Sequence, residues 1–295
     1  MFQFFANIFG YLLNFINNFV GNYGLAIILF TVLIKIIMLP LSIKQQRTMK
    51  KSTELNEKIK VLQFKYKNDP EKLNREMMDL YKKENMSPFS GCLSTIAQFI
   101  LLISIFYMVR CPLTYMEKIN NDQINTYVQQ LKDGGITVNQ AYSEIDIIRE
   151  LDYLKEKMPE DEGLNKINLN MNFCGLDLSK IPQQNLNDWT VYIIPALYII
   201  STFISMKITT SMQKKSKKSD GVIDITEKEE KDSKEEEKNE MEDMMEQSNK
   251  MMSWMMPIMS VSISLVAPLG LALYWLVNNI LMIGERLVLN KIIKD

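Results

Sequence analysis

From Phe2 to Ile43 the chain carries a single charged side chain, Lys35. A helix needs about 20 apolar residues to cross the bilayer core, so this stretch is too long for one span and must be divided. In its first part Gln3, Asn7, Asn14, Asn17 and Asn18 recur at helical spacing among Phe, Ile and Leu, which makes one polar stripe. Residues 1–20 therefore read as an amphipathic helix lying flat in the membrane interface. A signal sequence is the alternative, but a basic n-region and a small-residue cleavage site are missing. Gly21-Asn22-Tyr23-Gly24 breaks the helix, and residues 24–43 form span 1.

Residues 44–87 are polar and dense with charge. Leu55, Ile59, Leu62 and Tyr66, then Leu73, Met77, Leu80 and Tyr81, repeat at helical spacing on either side of Asn68-Asp69-Pro70. That pattern predicts a cytoplasmic helical hairpin, with Pro70 at a helix start where its missing N–H costs nothing. Residues 88–110 form span 2, and 111–188 a polar, acidic, extracytoplasmic insertion with some helix around 138–157. Residues 189–207 form span 3, with Trp189 and Tyr192 at its start as befits an interface. Residues 208–250 form a charged cytoplasmic loop whose composition cannot pack a core. Met251 to Gly284 has no charge, and Pro268-Leu269-Gly270 turns the chain within it, giving span 4 (251–267) and span 5 (269–287). Both are short, which implies tilting or a thinned bilayer. Residues 288–295 form a cytoplasmic tail. The expected fold is thus an all-α integral membrane protein of five transmembrane helices.

Charge sets the orientation. The net charge is −1, so the signal lies in where the basic residues fall. Lys44, Arg47, Lys50 and Lys51 follow span 1; Lys207, Lys214, Lys215, Lys217 and Lys218 follow span 3; Arg286, Lys291 and Lys294 close the chain. Five spans put every cluster in the cytoplasm, with the N-terminus outside and the C-terminus inside; four would put the last cluster outside. With no histidine and three unpaired-looking cysteines, metal and Ser-His-Asp chemistry are poor readings, and no metal, cofactor or enzymatic activity is expected. Cys111 and Cys174 both fall on the outer side, where the sequence leaves a disulfide open.

Lys35 lies past the middle of span 1, where a centred Lys costs about 2.5–3.5 kcal/mol on translocon scales. Its stem could snorkel to the cytoplasmic surface. Thr31, one turn away on the same face, favours a water-facing functional group instead. Ser94, Thr95 and Gln98 in span 2, and Tyr274, Asn278 and Asn279 in span 5, add uncharged polar groups that line such a groove or bond across helices. No acid is assigned to a span to neutralise Lys35, so its expected partner is water, phosphate or a passing substrate. In the hairpin, Lys50, Lys51, Lys58, Lys60, Lys65, Lys67, Lys72 and Arg75 form either a docking surface or a solvated face near anionic lipid. Methionines from Met241 to Met259 form a stripe that serves packing or binds varied apolar segments.

The run FTVLIKIIMLPLSIKQQRTMKK and the hairpin KYKNDPEKLNREMMDLYKKENMSPFSGCL resemble the first span and cytoplasmic hairpin of the YidC insertase family. NFCGLDLSKIP, MMPIM and PLGLALYWLVNN extend the resemblance in order along the chain. It implies a five-span core with a hydrophilic groove built from spans 1, 2 and 5, open to the cytoplasm and to lipid. The groove's basic residue falls on Lys35, where the family usually has Arg, its substrate-contacting Thr on Thr31, and its span 5 contact on Trp275. The implied activity is insertion of new membrane segments without nucleotide hydrolysis. An acidic substrate tail is drawn to Lys35 while the apolar part slides into lipid. Implied partners are nascent membrane proteins, the ribosome, the Sec translocon or targeting factors, and the bilayer, not DNA; an open groove suits a monomer. The competing readings are a small transporter or channel, which would need internal repeats or paired membrane charges, and an anchor that tethers ribosomes.

Overall fold

Gly21 takes a positive φ of 67° and the Asn22 side chain accepts the Leu25 amide at 3.1 Å. Helix α1 (Phe2–Val20) therefore ends, and α2 (Tyr23–Lys65) begins, within two residues. The computed structural model describes residues 2–66, 69–84, 90–219 and 261–292. Most of span 4, the methionine stripe, residues 220–250 of the charged loop, Lys67 and Lys294 lie outside the described residues. So do the side chains of Lys50, Lys60, Cys92, Ser94, Thr95 and Gln98.

Helix α2 runs unbroken for 43 residues, through Pro40 and past residue 44, where composition alone suggested a boundary. At 1.5 Å per residue it extends about 65 Å, twice the bilayer core. No Gly or Pro follows Pro40 to stop it, so its charged half leaves the apolar half on one axis. Helix α3 (Pro70–Lys83), capped by Asp69 onto the Lys72 amide, packs back on the end of α2, and Lys58 pairs with Glu84. Then come α4 (Ser90–Arg110), the insertion, α10 (Ile193–Ser219) and α11 (Leu269–Ile292). Among the described residues, three helical stretches are long and apolar enough to cross a membrane: Tyr23–Thr48, Trp189–Ser211 and Leu269–Leu289. A shorter apolar stretch covers Phe99–Arg110. Helix α11 packs between α2 and α10, while α1 lies against α4 and α2.

The insertion holds five short helices: α5 (Pro112–Tyr115), α6 (Asn121–Asp133), α7 (Ser143–Arg149), α8 (Leu151–Lys157) and α9 (Glu162–Lys166). Its core of Leu113, Tyr127, Leu131, Ile147, Leu154 and Leu164 is continuous with that of the helical bundle. Two buried carboxylates serve as internal anchors. Glu144 accepts the Thr114 amide and hydroxyl, and Asp146 accepts the Asn139 amide and pairs with Arg149. Burial raises both carboxyls above the usual range, and the hydrogen bonds hold them partly back. The polar stripe of α1 meets this insertion: Asn14 donates to the Met116 carbonyl, Asn17 to the Asn168 carbonyl, and Asn7 accepts from Lys118. The outward face of α1 is instead apolar, with Phe4, Ile8, Tyr11, Phe15 and Phe19 exposed.

After α9 the chain makes a two-stranded hairpin, β1 (Asn172–Phe173) with β2 (Leu176–Asp177). Cys174 and Gly175 form its turn with φ of 52° and 79°, the paired positive values of a type I′ hairpin loop. Phe173 sits so close on α2 that a Cβ at Gly24 would clash with its ring. Around this hairpin the insertion takes hold of two helix starts. Tyr23 N–H donates to Asn170 O at 3.0 Å and Asn22 to Asn172 O at 2.7 Å. Leu269 and Gly270 N–H donate to Lys180 O and Leu178 O, each at 2.9 Å. The Tyr23, Leu269 and Gly270 donors are helix-start backbone amides with no partner within their own helix, and Asn22 adds its side-chain amide.

Lys180 is tied to Asp188 at 2.8 Å. That bond and those from Thr190 hold the Asp188 carboxyl down at about 2, and the same contact raises the Lys180 ammonium. A depressed carboxylate contributes stability above its ordinary value and loses it as the pH falls through the depressed one. The tie is therefore complete above about pH 4 and is lost as the pH drops through about 2. Carbon-detected NMR of the protein in nanodiscs should give an Asp188 midpoint near 2, moving up toward 3.8 in Lys180→Met.

Candidate functional site

The N-terminal ends of α2 and α11 are held side by side, with the Tyr23 ring packed on Gly270, and the two helices run in the same direction. Residues four and seven apart share a helix face. Thr31 and Lys35 thus stand on one face of α2, and Tyr274, Asn278 and Glu285 on one face of α11. The two faces meet at Lys35, whose Nζ lies 3.4 Å from Glu285 Oε2. Both groups keep partial access, 21% for the Lys35 side chain and 14% for Glu285. The expectation that no acid in a span neutralises Lys35 is overturned by this contact. Glu285 falls inside the 269–287 bounds of span 5, but it closes an uncharged block and borders Arg286, so sequence alone reads it as part of a basic flank. Only the unbroken run of α11 to Ile292, parallel to α2, carries it to Lys35.

Other residues take different places. Thr31 is buried and donates its hydroxyl to the Ile27 carbonyl at 2.6 Å, so its oxygen already serves its own helix. Tyr274 is buried and Asn278 half-buried. Trp275 turns toward α10, its ring 6.1 Å from that of Tyr198. Asn279, one position from the groove stripe, donates to Ser201 Oγ at 2.9 Å and Thr202 Oγ1 at 3.1 Å, and Arg286 donates to Thr209. These bonds lock α11 to α10, a role that Ser201, Thr202 and Thr209 give no hint of in sequence. Around the seam, Leu33, Ile36 and Ile37 on α2 and Ile280, Leu287 and Val288 on α11 are exposed apolar side chains.

On α2 and α3, Lys51, Lys58, Lys65, Lys72 and Arg75 are exposed. Lys58 pairs with Glu84, and Lys65 and Lys72 both approach the Tyr66 ring, at 5.4 and 5.2 Å. The described residues contain no cluster of three or more His, Cys, Asp or Glu side chains able to hold a metal. Cys111 and Cys174 are free thiols. Cys111 is half-buried beside Glu144, and desolvation together with that carboxylate pushes its pKa up to about 12, whereas Cys174 sits exposed in the hairpin turn.

The description of the 60Kd inner membrane protein family matches residues 15–295. The chain belongs to this family. Among curated members, the membrane protein insertase YidC of Caldanaerobacter subterraneus subsp. tengcongensis is 48% identical over 101 residues, 34% of this chain and 49% of the relative. The one from Francisella tularensis subsp. novicida is 46% identical over 109 residues, 37% of this chain and 20% of the relative. The chain thus matches about half the length of the first and a fifth of the second. Family membership and the apolar helices together make it an all-α, multi-pass protein of the bacterial membrane.

Two outcomes check this geometry. A charge left alone in a largely buried site costs more than the pair it came from. Lys35→Leu and Glu285→Leu should each destabilise the purified protein by about 1–3 kcal/mol, and the double variant should recover most of that loss in thermal melts. At pH 8 a maleimide should label Cys174 within minutes and spare Cys111, read by peptide mass spectrometry.

Proposed function

We propose that the protein is a membrane protein insertase, moving hydrophobic segments of newly made proteins into the plasma membrane through a lipid-open polar groove. The observation that carries this reading is a partly exposed ion pair between two apolar helices, Lys35 on α2 with Glu285 on α11, in a chain of the 60Kd inner membrane protein family. Intramembrane charges are costly and mark the path of a substrate. The apolar residues flanking the pair support a groove that opens sideways to lipid.

In the proposed mechanism an acidic tail moves from the cytoplasm toward Lys35, whose pull is strong between apolar walls. The apolar segment behind it slides past Ile36, Ile37 and Ile280 into lipid, and the hydrophobic free energy released drives the step. No nucleotide is hydrolysed and no bond in the client is broken, so the protein is a chaperone and not an enzyme. Five spans, an outside N-terminus, an inside C-terminus and an interfacial α1 complete the proposed topology. The exposed aromatic side of α1 supports its place at the outer interface. On the cytoplasmic side α3 and the end of α2 form the proposed hairpin, which offers Lys51, Lys65, Lys72 and Arg75 to the ribosome or a targeting factor. Ser94, Thr95 and Gln98 of α4 are proposed for the groove wall, Trp275 for its α10 side, and a monomer suffices.

The test is rescue of an insertase-depleted bacterium, with membrane levels measured. Wild type and Lys35→Arg should restore growth. Lys35→Leu and the folded, charge-free Lys35→Leu/Glu285→Leu should fail by at least tenfold in plating efficiency; equal rescue by all four would overturn a charge-dependent groove.

A further inference from the structure

Lys35 is not an open cation. Its ammonium rests 3.4 Å from Glu285, and Arg286, the next residue, is held away by Thr209 on α10. A client carboxylate that takes Lys35 therefore evicts Glu285, and it leaves that carboxylate only 14% exposed, with no other ion-pair partner among the described residues and only the weaker field of Arg286, whose guanidinium is bonded to Thr209. An uncompensated charge in such a place cancels much of what the new contact gains. A client that brings an acid and a base together avoids the loss: its carboxylate takes Lys35, its cation takes Glu285, and two ion pairs replace one. Side chains three or four residues apart on a helix are neighbours, about 5–6 Å between Cβ atoms, which suits the two halves of this contact.

We propose that Glu285 is a specificity-determining residue: it makes the groove prefer client segments carrying an acid–base pair one helical turn apart over segments carrying a lone acid. Discrimination arises because the wrong client leaves a charge unpaired, not because the right one binds more tightly at Lys35. The proposal rests on the insertase reading.

The experiment uses the full chain in proteoliposomes and a single-span reporter with three tails: neutral, a lone Asp, and Asp with Lys four residues on. Protease-protected reporter is measured for wild type, Glu285→Gln, and Lys35→Gln/Glu285→Gln. The double variant supplies the intrinsic cost of moving each tail, and all values are normalised to it. Wild type should favour the Asp–Lys tail over the lone Asp roughly fivefold. Glu285→Gln should raise the lone Asp by a similar factor and abolish the preference. Equal insertion of both charged tails by wild type, or a preference that survives Glu285→Gln, overturns the role of Glu285 and leaves the insertase reading standing. If Glu285→Gln does not fold, the wild-type ratio against the double variant decides. Insertion no better than in protein-free liposomes for every tail overturns both.

Discussion

Every helix start in this fold leaves backbone amides without partners, and in a bilayer no water replaces them. The meeting of Lys35 with Glu285 depends on how that need is met for α2 and α11. Both take carbonyls from one short segment, residues 168–180, where Asn170 and Asn172 receive donors from the start of α2 and Leu178 and Lys180 receive those of α11. A β-hairpin with a tight turn makes that segment stiff, and the close seat of Phe173 against Gly24 fixes its height. The insertion is thus a spacer that sets two helices side by side at one end, and their parallel course then brings Lys35 and Glu285 together.

The ion pair reconciles two opposed demands. A lone ammonium among apolar helices costs about 2.5–3.5 kcal/mol, so a stable protein needs it compensated, while a receptor for charge needs it available. Partial exposure of both partners meets each demand halfway: the pair is shielded enough to be attractive and wet enough to be exchanged. Two further polar groups of α11, Asn279 and Arg286, are bonded to α10. Eviction of Glu285 therefore need not loosen the bundle.

Much of this was legible in the sequence because it depends on local chemistry. The break at Gly21-Asn22 and the cap at Asp69 with Pro70 follow from residue types alone, whereas the unbroken passage of α2 beyond residue 44 does not. The α1 stripe was readable as a stripe, but not its partners. Asn14 and Asn17 satisfy loop carbonyls from residues more than 100 positions away, and a helical period carries no information about what it faces. Glu285 was hidden for the same reason. It stands beside Arg286, and a sequence separation of 250 residues gives no sign that its carboxylate reaches Lys35.

Sequence by itself determined that this chain lives in a membrane and that one lysine stands within an apolar helix, because each follows from the cost of placing apolar or charged side chains in the wrong solvent. Tertiary structure alone decided which charge answers that lysine, which side of α11 Trp275 takes, and what the insertion is for. Those depend on the relative placement of helices, set by a few backbone hydrogen bonds between distant segments.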